Sequence, residues 1–204
     1  MMRKIFGGLL IAAGVALVAL AVMRVLQNKE EESFAQVASQ QVVVELEAVV
    51  LPEPTESVEA APAIPTIPDY QYVPDMDMPE VEINGVAYIG ILEIPELDLS
   101  LPIISSTTMA YLRIAPCRYA GSAYLNDLIL GAHNYDAHFG RLKTLSYGSK
   151  VRFTDVDGNV FEYSVADIEI LQPEQVDALR DGNWPLTLYT CTVGGQTRVV
   201  VRCE

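Results

Sequence analysis

The chain has 204 residues, half of them apolar, and a formal net charge of −14. That acidity excludes an ordinary nucleic-acid-binding surface, which needs clustered Lys and Arg. It also excludes charge-driven adhesion to anionic lipid, and the length accommodates one folded domain with extensions.

The first predicted element is a membrane span. Residues 5–23, from Ile5 to Met23, carry no charge and are almost wholly apolar. At about 1.5 Å rise per residue such a run crosses a hydrocarbon core of roughly 30 Å. Arg3 and Lys4 precede it with no acid nearby, which places the N-terminus in the cytoplasm and the rest of the chain outside. A cleaved signal peptide fits less well, because the run is long and Ala21-Val22-Met23 is not an A-x-A-like cleavage site. A buried soluble helix fits poorly with Gly7, Gly8 and Gly14 in its interior. We take residues 1–29 as a cytoplasmic stub plus anchor, with a local charge of +4.

Residues 30–80 carry a charge of −12 and no Lys or Arg. Seven of the twelve prolines fall between Pro52 and Pro79. Proline and like-charge repulsion favour an extended, poorly packed stalk, with at most a local helix near Val42-Val43-Val44.

From residue 81 to 204 the texture is that of a β domain. Strands are predicted over 86–95, 99–104, 127–131, 150–154, 160–165, 168–171, 186–192 and 197–203, each bounded by Gly, Pro, Asn or Asp. Short helical patterns occupy 139–145 and 173–179. The expected fold is mainly β, a closed barrel of about eight strands with a few short helices. Asp155, Asp157 and Asn159 look like the start of a calcium loop, but Ala166 stands where the twelfth-position Glu belongs. A hairpin turn is expected there, and no metal site.

The three cysteines are Cys117, Cys191 and Cys203. An odd count outside the cytoplasm leaves at least one free thiol. A Cys117–Cys203 disulfide and two separate buried thiols are both open readings.

The last hairpin carries the chemistry. A two-residue turn at Gly194-Gly195 puts Thr192 opposite Thr197 and Cys191 opposite Arg198. Opposed residues share a face, with Cβ atoms about 5 Å apart. Leu186, Leu188, Val199 and Val201 fall on the other face and read as core, so Cys191 and Arg198 point away from it. A fixed cation lowers a thiol pKa and steadies a developing oxyanion. Arg202 shares that face but lies roughly 13 Å along the strand, too far to serve the same sulfur. A cysteine nucleophile also needs an imidazole, and only His133 and His138 exist. His133 is preferred because it ends the buried run Leu128-Ile129-Leu130, where site residues gather.

Thr187-Leu188-Tyr189-Thr190-Cys191 resembles the TLxTC signature of sortases, with Arg198 matching the arginine of the next strand. Ile129 to Asn134 is similar to the segment that delivers the sortase histidine, here His133. Ile89 to Pro95 resembles their opening strand, and Phe139-Gly140-Arg141-Leu142 their F-x-x-L turn. The likeness spans about residues 86–203. It departs at Ala132, where relatives often carry Gly, and in the short Cys–Arg spacing. The resemblance implies a transpeptidase that cleaves an LPxTG-like sorting signal through a thioacyl-enzyme and needs no cofactor. Cys191 would be the nucleophile, His133 the acid and base, and Arg198 the substrate or oxyanion clamp. Thr190, and Trp184 in the loop before the Cys strand, would contact substrate. The implied partners are surface proteins or pilins bearing a C-terminal sorting signal, and an amine acceptor from a peptidoglycan precursor or pilin lysine. The implied place is a Gram-positive-type cell surface, with one membrane pass and the catalytic domain outside. The rival readings are a hydrolytic cysteine peptidase and a non-catalytic surface binding module.

Overall fold

The computed structural model describes residues 2–50 and 67–204, with side chains in the first helix described at Ile11 and from Ala13 onward. Nine strands follow one long helix, α1 (Met2–Val50). They are β1 (Val81–Ile83), β2 (Val86–Ile94), β3 (Leu99–Ile104), β4 (Cys117–Ala120), β5 (Leu128–Ala132), β6 (Lys150–Asp155), β7 (Val160–Leu171), β8 (Leu186–Cys191) and β9 (Arg198–Cys203). The order β1-β2-β3-β4-β5-β8-β9-β7-β6, with β6 returning to pair with β2, closes strands β2–β9 into an eight-stranded barrel. The mainly-β expectation therefore holds. β3–β4 and β5–β8 are the parallel pairs.

Closure depends on one glycine. β2 pairs with β3 on one side and β6 on the other, and its register with β3 shifts between Tyr88 and Gly90. Gly90 has φ +152°, and a Cβ there would lie 2.1 Å from the Thr154 carbonyl oxygen. Only glycine lets the two backbones meet so closely.

The barrel interior is filled by alternate residues of each strand, among them Leu92, Leu101, Leu130, Phe153, Leu188 and Val201. Met78 joins this core, and Tyr70 stacks on Tyr124 at 4.5 Å between ring centroids. Residues 70–78 are therefore fastened to the barrel. Asp155 is fully buried, but its carboxylate accepts from the Asp157 and Asn159 amides, from Asn159 Nδ2 and from Tyr124 Oη. This is the turn-closing aspartate expected of the hairpin at 155–159.

Several expectations need correction. β1 was missed, although Asn84-Gly85, both at positive φ, forms the two-residue turn that pairs Ile83 with Val86. The four-residue β4 was missed as well. The strands expected at 160–165 and 168–171 are one strand, β7, with a bulge between Val165 and Asp167. The helices expected at 139–145 and 173–179 shrink to 3-10 turns at Leu142–Thr144 and Asp177–Arg180. A second short helix, α2 (Met109–Leu112), is N-capped by the Thr108 hydroxyl. Cys117 and Cys203 are both buried and free, so the disulfide is not formed. They lie in different apolar clusters, and burial pushes each thiol up to about 12.

The largest correction concerns residues 30–50, which are helical and docked on the barrel rather than extended. Ala35, Ser39, Val42, Leu46 and Val50 are buried, at the three- and four-residue spacing of one helical face. Val42, Leu46 and Val50 pack against Ile83, Tyr88, Ile91 and Ile104. This segment holds no proline, so nothing in it opposes a helix. Residues 51–66, the proline-rich half of the expected stalk, lie outside the described residues. Leu46→Ala is expected to cost about 3 kcal/mol. Urea unfolding of the full chain should show a lower midpoint at unchanged slope.

The expected membrane span lies in the first half of α1. Among the described residues, no helix is long and apolar enough to cross a membrane. Ile11, Val15, Leu17, Val18 and Leu20 are more than half exposed.

Candidate active site

Two parallel strands deliver the key residues. β5 and β8 run side by side with Ala132 opposite Thr190 as their last rung. His133 and Cys191 each follow that rung directly. Thr190 turns inward, is 2% exposed, and donates its hydroxyl to the Ala132 carbonyl at 2.8 Å. It thus ties together the two strands that carry the histidine and the cysteine, and it does not line the cleft. Thr190→Val strands that buried acceptor. The expected loss is about 1–2 kcal/mol of stability, read from denaturant unfolding.

β9 supplies the third group. Cys191 pairs with Arg198, while Leu186, Leu188, Val199 and Val201 face the core, as the parity argument expects. The turn itself differs in detail. Gly195 N donates to the Thr192 carbonyl at 2.8 Å, and Thr192 N to the Thr197 carbonyl at 3.0 Å. The loop therefore spans four residues, 193–196, with Gly194 and Gly195 both at positive φ. A four-residue loop ends on the same Thr192–Thr197 pair as a two-residue one centred on the glycines, so the register survives. Arg198 is steadied by its own turn: Nη1 donates to the carbonyls of Gly195 and Thr197 at 3.2 and 3.1 Å. Nε and Nη2 have no protein acceptor among the described residues.

Cys191, His133 and Arg198 line one cleft of about 300 Å3. Its walls are mostly apolar: Met109 and Leu112 from α2, Tyr119 and Tyr189, then Val176 and Leu179 from the loop between β7 and β8. A few polar groups converging in an apolar cleft is the usual form of a binding site. A larger groove of about 850 Å3 runs between α1 and the barrel past Gln36, Gln40 and Leu99, but it reaches neither histidine nor any cysteine. The smaller cleft is the candidate site because Cys191, His133 and Arg198 meet there.

The two histidines have different surroundings. His133 is half-buried, and its Nε2 is enclosed without a hydrogen-bond partner among the described residues. Burial lowers its pKa below the usual histidine value. The Arg113 charge lowers it further, and Glu31 on α1 opposes them. Its ring centroid lies 5.0 Å from that of Tyr135, whose hydroxyl donates to Glu31 at 3.1 Å. His138 is fully buried under α1 and is absent from the cleft. Ser39 Oγ donates to the Ile114 carbonyl at 2.9 Å, so toward His138 Nε2, 3.4 Å away, it acts as acceptor. Burial, then His133, pushes the pKa of His138 down to about 4. Of the two histidines, His133 shares the cleft with Cys191 and His138 does not.

Trp184 is half-buried with its indole against Gly182, and it does not line the cleft. The loop wall comes instead from its earlier half, Gln172 to Leu179. Sequence reasoning missed Tyr119 and Tyr189, whose rings meet edge to face at 5.6 Å. Tyr189 was findable, since it shares the parity of Cys191. Gly131 makes room for it: a Cβ there would lie 2.5 Å from the Tyr189 ring.

The sortase-domain family model matches residues 92–204. The chain belongs to the sortase family. Solved sortases share its fold at low identity. Sortase D5 of Clostridium perfringens, named a transpeptidase, superposes with a TM-score of 0.58 at 16% identity, covering 82% of this chain and 98% of its own. Sortase A of Corynebacterium diphtheriae gives 0.52 at 19%, covering 85% and 83%. Sortase C1 of Streptococcus agalactiae gives 0.51 at 26%, covering 60% and 69%. No curated protein matches the chain. These neighbours carry the class letters A, C and D, so they support the sortase fold and no single class.

Proposed function

We propose that this sortase is a membrane-anchored cysteine transpeptidase acting on an LPxTG-like sorting signal. The observation that carries the reading is the convergence of Cys191, His133 and Arg198 in one apolar cleft. The Cys191 thiolate attacks the scissile carbonyl carbon and forms a C–S bond. The oxyanion is met by the unpartnered N–H groups of Arg198. The C–N bond then breaks, and protonated His133 gives its proton to the leaving amine. The thioester is resolved by an incoming amine of a cell-wall precursor or pilin. Its nitrogen attacks the carbonyl, its proton passes to His133, and the thiolate departs. Atoms and charge balance over the two steps, and the acyl energy is conserved without ATP.

The enclosed, unpartnered Nε2 of His133 supports a proton-transfer role. The apolar run Ile5–Met23, flanked by Arg3 and Lys4, supports anchoring with the barrel outside the cell. The exposed Ile11, Val15 and Leu17 suit a lipid surround. The test is to incubate the full chain in detergent with a library of sorting-signal peptides and an amine acceptor. The reading expects amide product that rises with amine concentration. Free acid as the sole product at high amine indicates a hydrolytic peptidase, and no cleavage at all indicates a binding module.

A further inference from the structure

β9 places two arginines on the face that carries the cleft, Arg198 opposite Cys191 and Arg202 opposite Thr187. Arg202 takes no part in the chemistry derived above, yet it is 3% exposed. A buried guanidinium needs nearly all its donors satisfied, and its acceptors lie on three separate elements. Nε and Nη2 both meet Glu169 Oε1 on β7 at 2.8 Å. Nη1 donates to Thr187 Oγ1 on β8 at 3.1 Å and to the Leu179 carbonyl at 2.7 Å. Nη2 also donates to the Ala178 carbonyl at 2.6 Å.

Ala178 and Leu179 belong to the 3-10 turn Asp177–Arg180. The Ala178 carbonyl already accepts from Asp181 N at 3.2 Å; Arg202 adds a second donor there and reaches the Leu179 carbonyl from below. Above that anchor, Leu179 is buried against Ile129, Leu171 and Val200, with Tyr189 beside it. Leu179 and Val176 are also cleft wall.

We infer that Arg202 is a positioning residue for substrate binding. It holds the Val176–Leu179 wall at a fixed distance from Cys191, and so sets affinity for the apolar side chains of the bound peptide. Because it grips backbone carbonyls, it fixes the wall whatever side chains stand there. Lysine cannot replace it, since one ammonium cannot reach acceptors on three elements that a planar fork reaches together. The inference rests on the peptide-cleaving reading of the same cleft.

The test compares Arg202→Lys with wild type, using full chains in detergent. Amide hydrogen exchange over residues 175–181 is expected to accelerate at least tenfold. Exchange in β5 and β8, and the alkylation rate of Cys191 by iodoacetamide, should stay within about twofold. On any sorting peptide that wild type turns over, KM should rise about tenfold with kcat within twofold. Exchange over 175–181 that is unchanged, or that rises equally across the barrel, overturns the inference. So does a fall in kcat at constant KM. Should Arg202→Lys fail to fold, Thr187→Val and Glu169→Ala each remove one acceptor and are expected to shift the same exchange less far. If wild type turns over no peptide, the transpeptidase reading fails while the exchange measurement still decides the role of Arg202.

Discussion

Replacing His133 by alanine is expected to lower kcat/KM about a thousandfold, within the range usual for loss of a general acid–base group. His138→Gln should leave turnover at neutral pH within a few-fold of wild type. The contrast follows from position. His133 stands beside Cys191 in the cleft with an enclosed, unpartnered Nε2, whereas His138 faces Ser39 beneath α1. Steady-state kinetics on one peptide–amine pair reads both variants. Cys191 in His133→Ala should still react with iodoacetamide, which separates loss of proton transfer from loss of the fold. Equal losses in the two variants would contradict the assignment.

The second large effect is acid destabilisation through His138. An unfolded histidine binds its proton near pH 6.5, but buried His138 does so only near 4. Between those values the unfolded chain holds more protons, so stability rises with pH. The contribution is complete above about 6.5 and is lost as pH falls toward 4. The expected loss is about 3 kcal/mol, at roughly 1.4 kcal/mol per tenfold change in proton affinity. His133, also lowered, acts in the same direction. Urea unfolding at pH 7 and pH 4.5 should show a steeper drop for wild type than for His138→Gln. Parallel pH profiles would mean that His138 titrates normally.

What the sequence revealed and what it hid differ by range of interaction. The Cys191–Arg198 pairing was legible because both strands of the hairpin are adjacent in the chain and the ladder fixes parity locally. The eight-stranded barrel was legible from strand texture. β1 announced itself through Asn84-Gly85 and was overlooked. β4 has four residues and an irregular register, too little for a periodic signal. The docked half of α1 was hidden because its glutamates were read together with the acidic, proline-rich residues that follow, although the Ala35, Ser39, Val42, Leu46 spacing was there to be read. His133 was preferred over His138 from its strand-end place and the family resemblance, but the burial of His138 beneath α1 was not legible. The roles of Thr190 and Arg202 depend on partners from other elements, Ala132 for one and the Asp177–Arg180 turn for the other. No local pattern encodes those contacts.

The proposed reaction passes through a thioester at Cys191. The direct measurement is intact mass spectrometry of the full chain, quenched in acid after mixing with a sorting peptide and no amine. The expected result is an added mass equal to the acyl fragment, found after acid digestion on the peptide containing Cys191, removed by hydroxylamine and absent in Cys191→Ala. Cleavage of the peptide by Cys191→Ala at the wild-type rate, or an adduct on another residue, would contradict it.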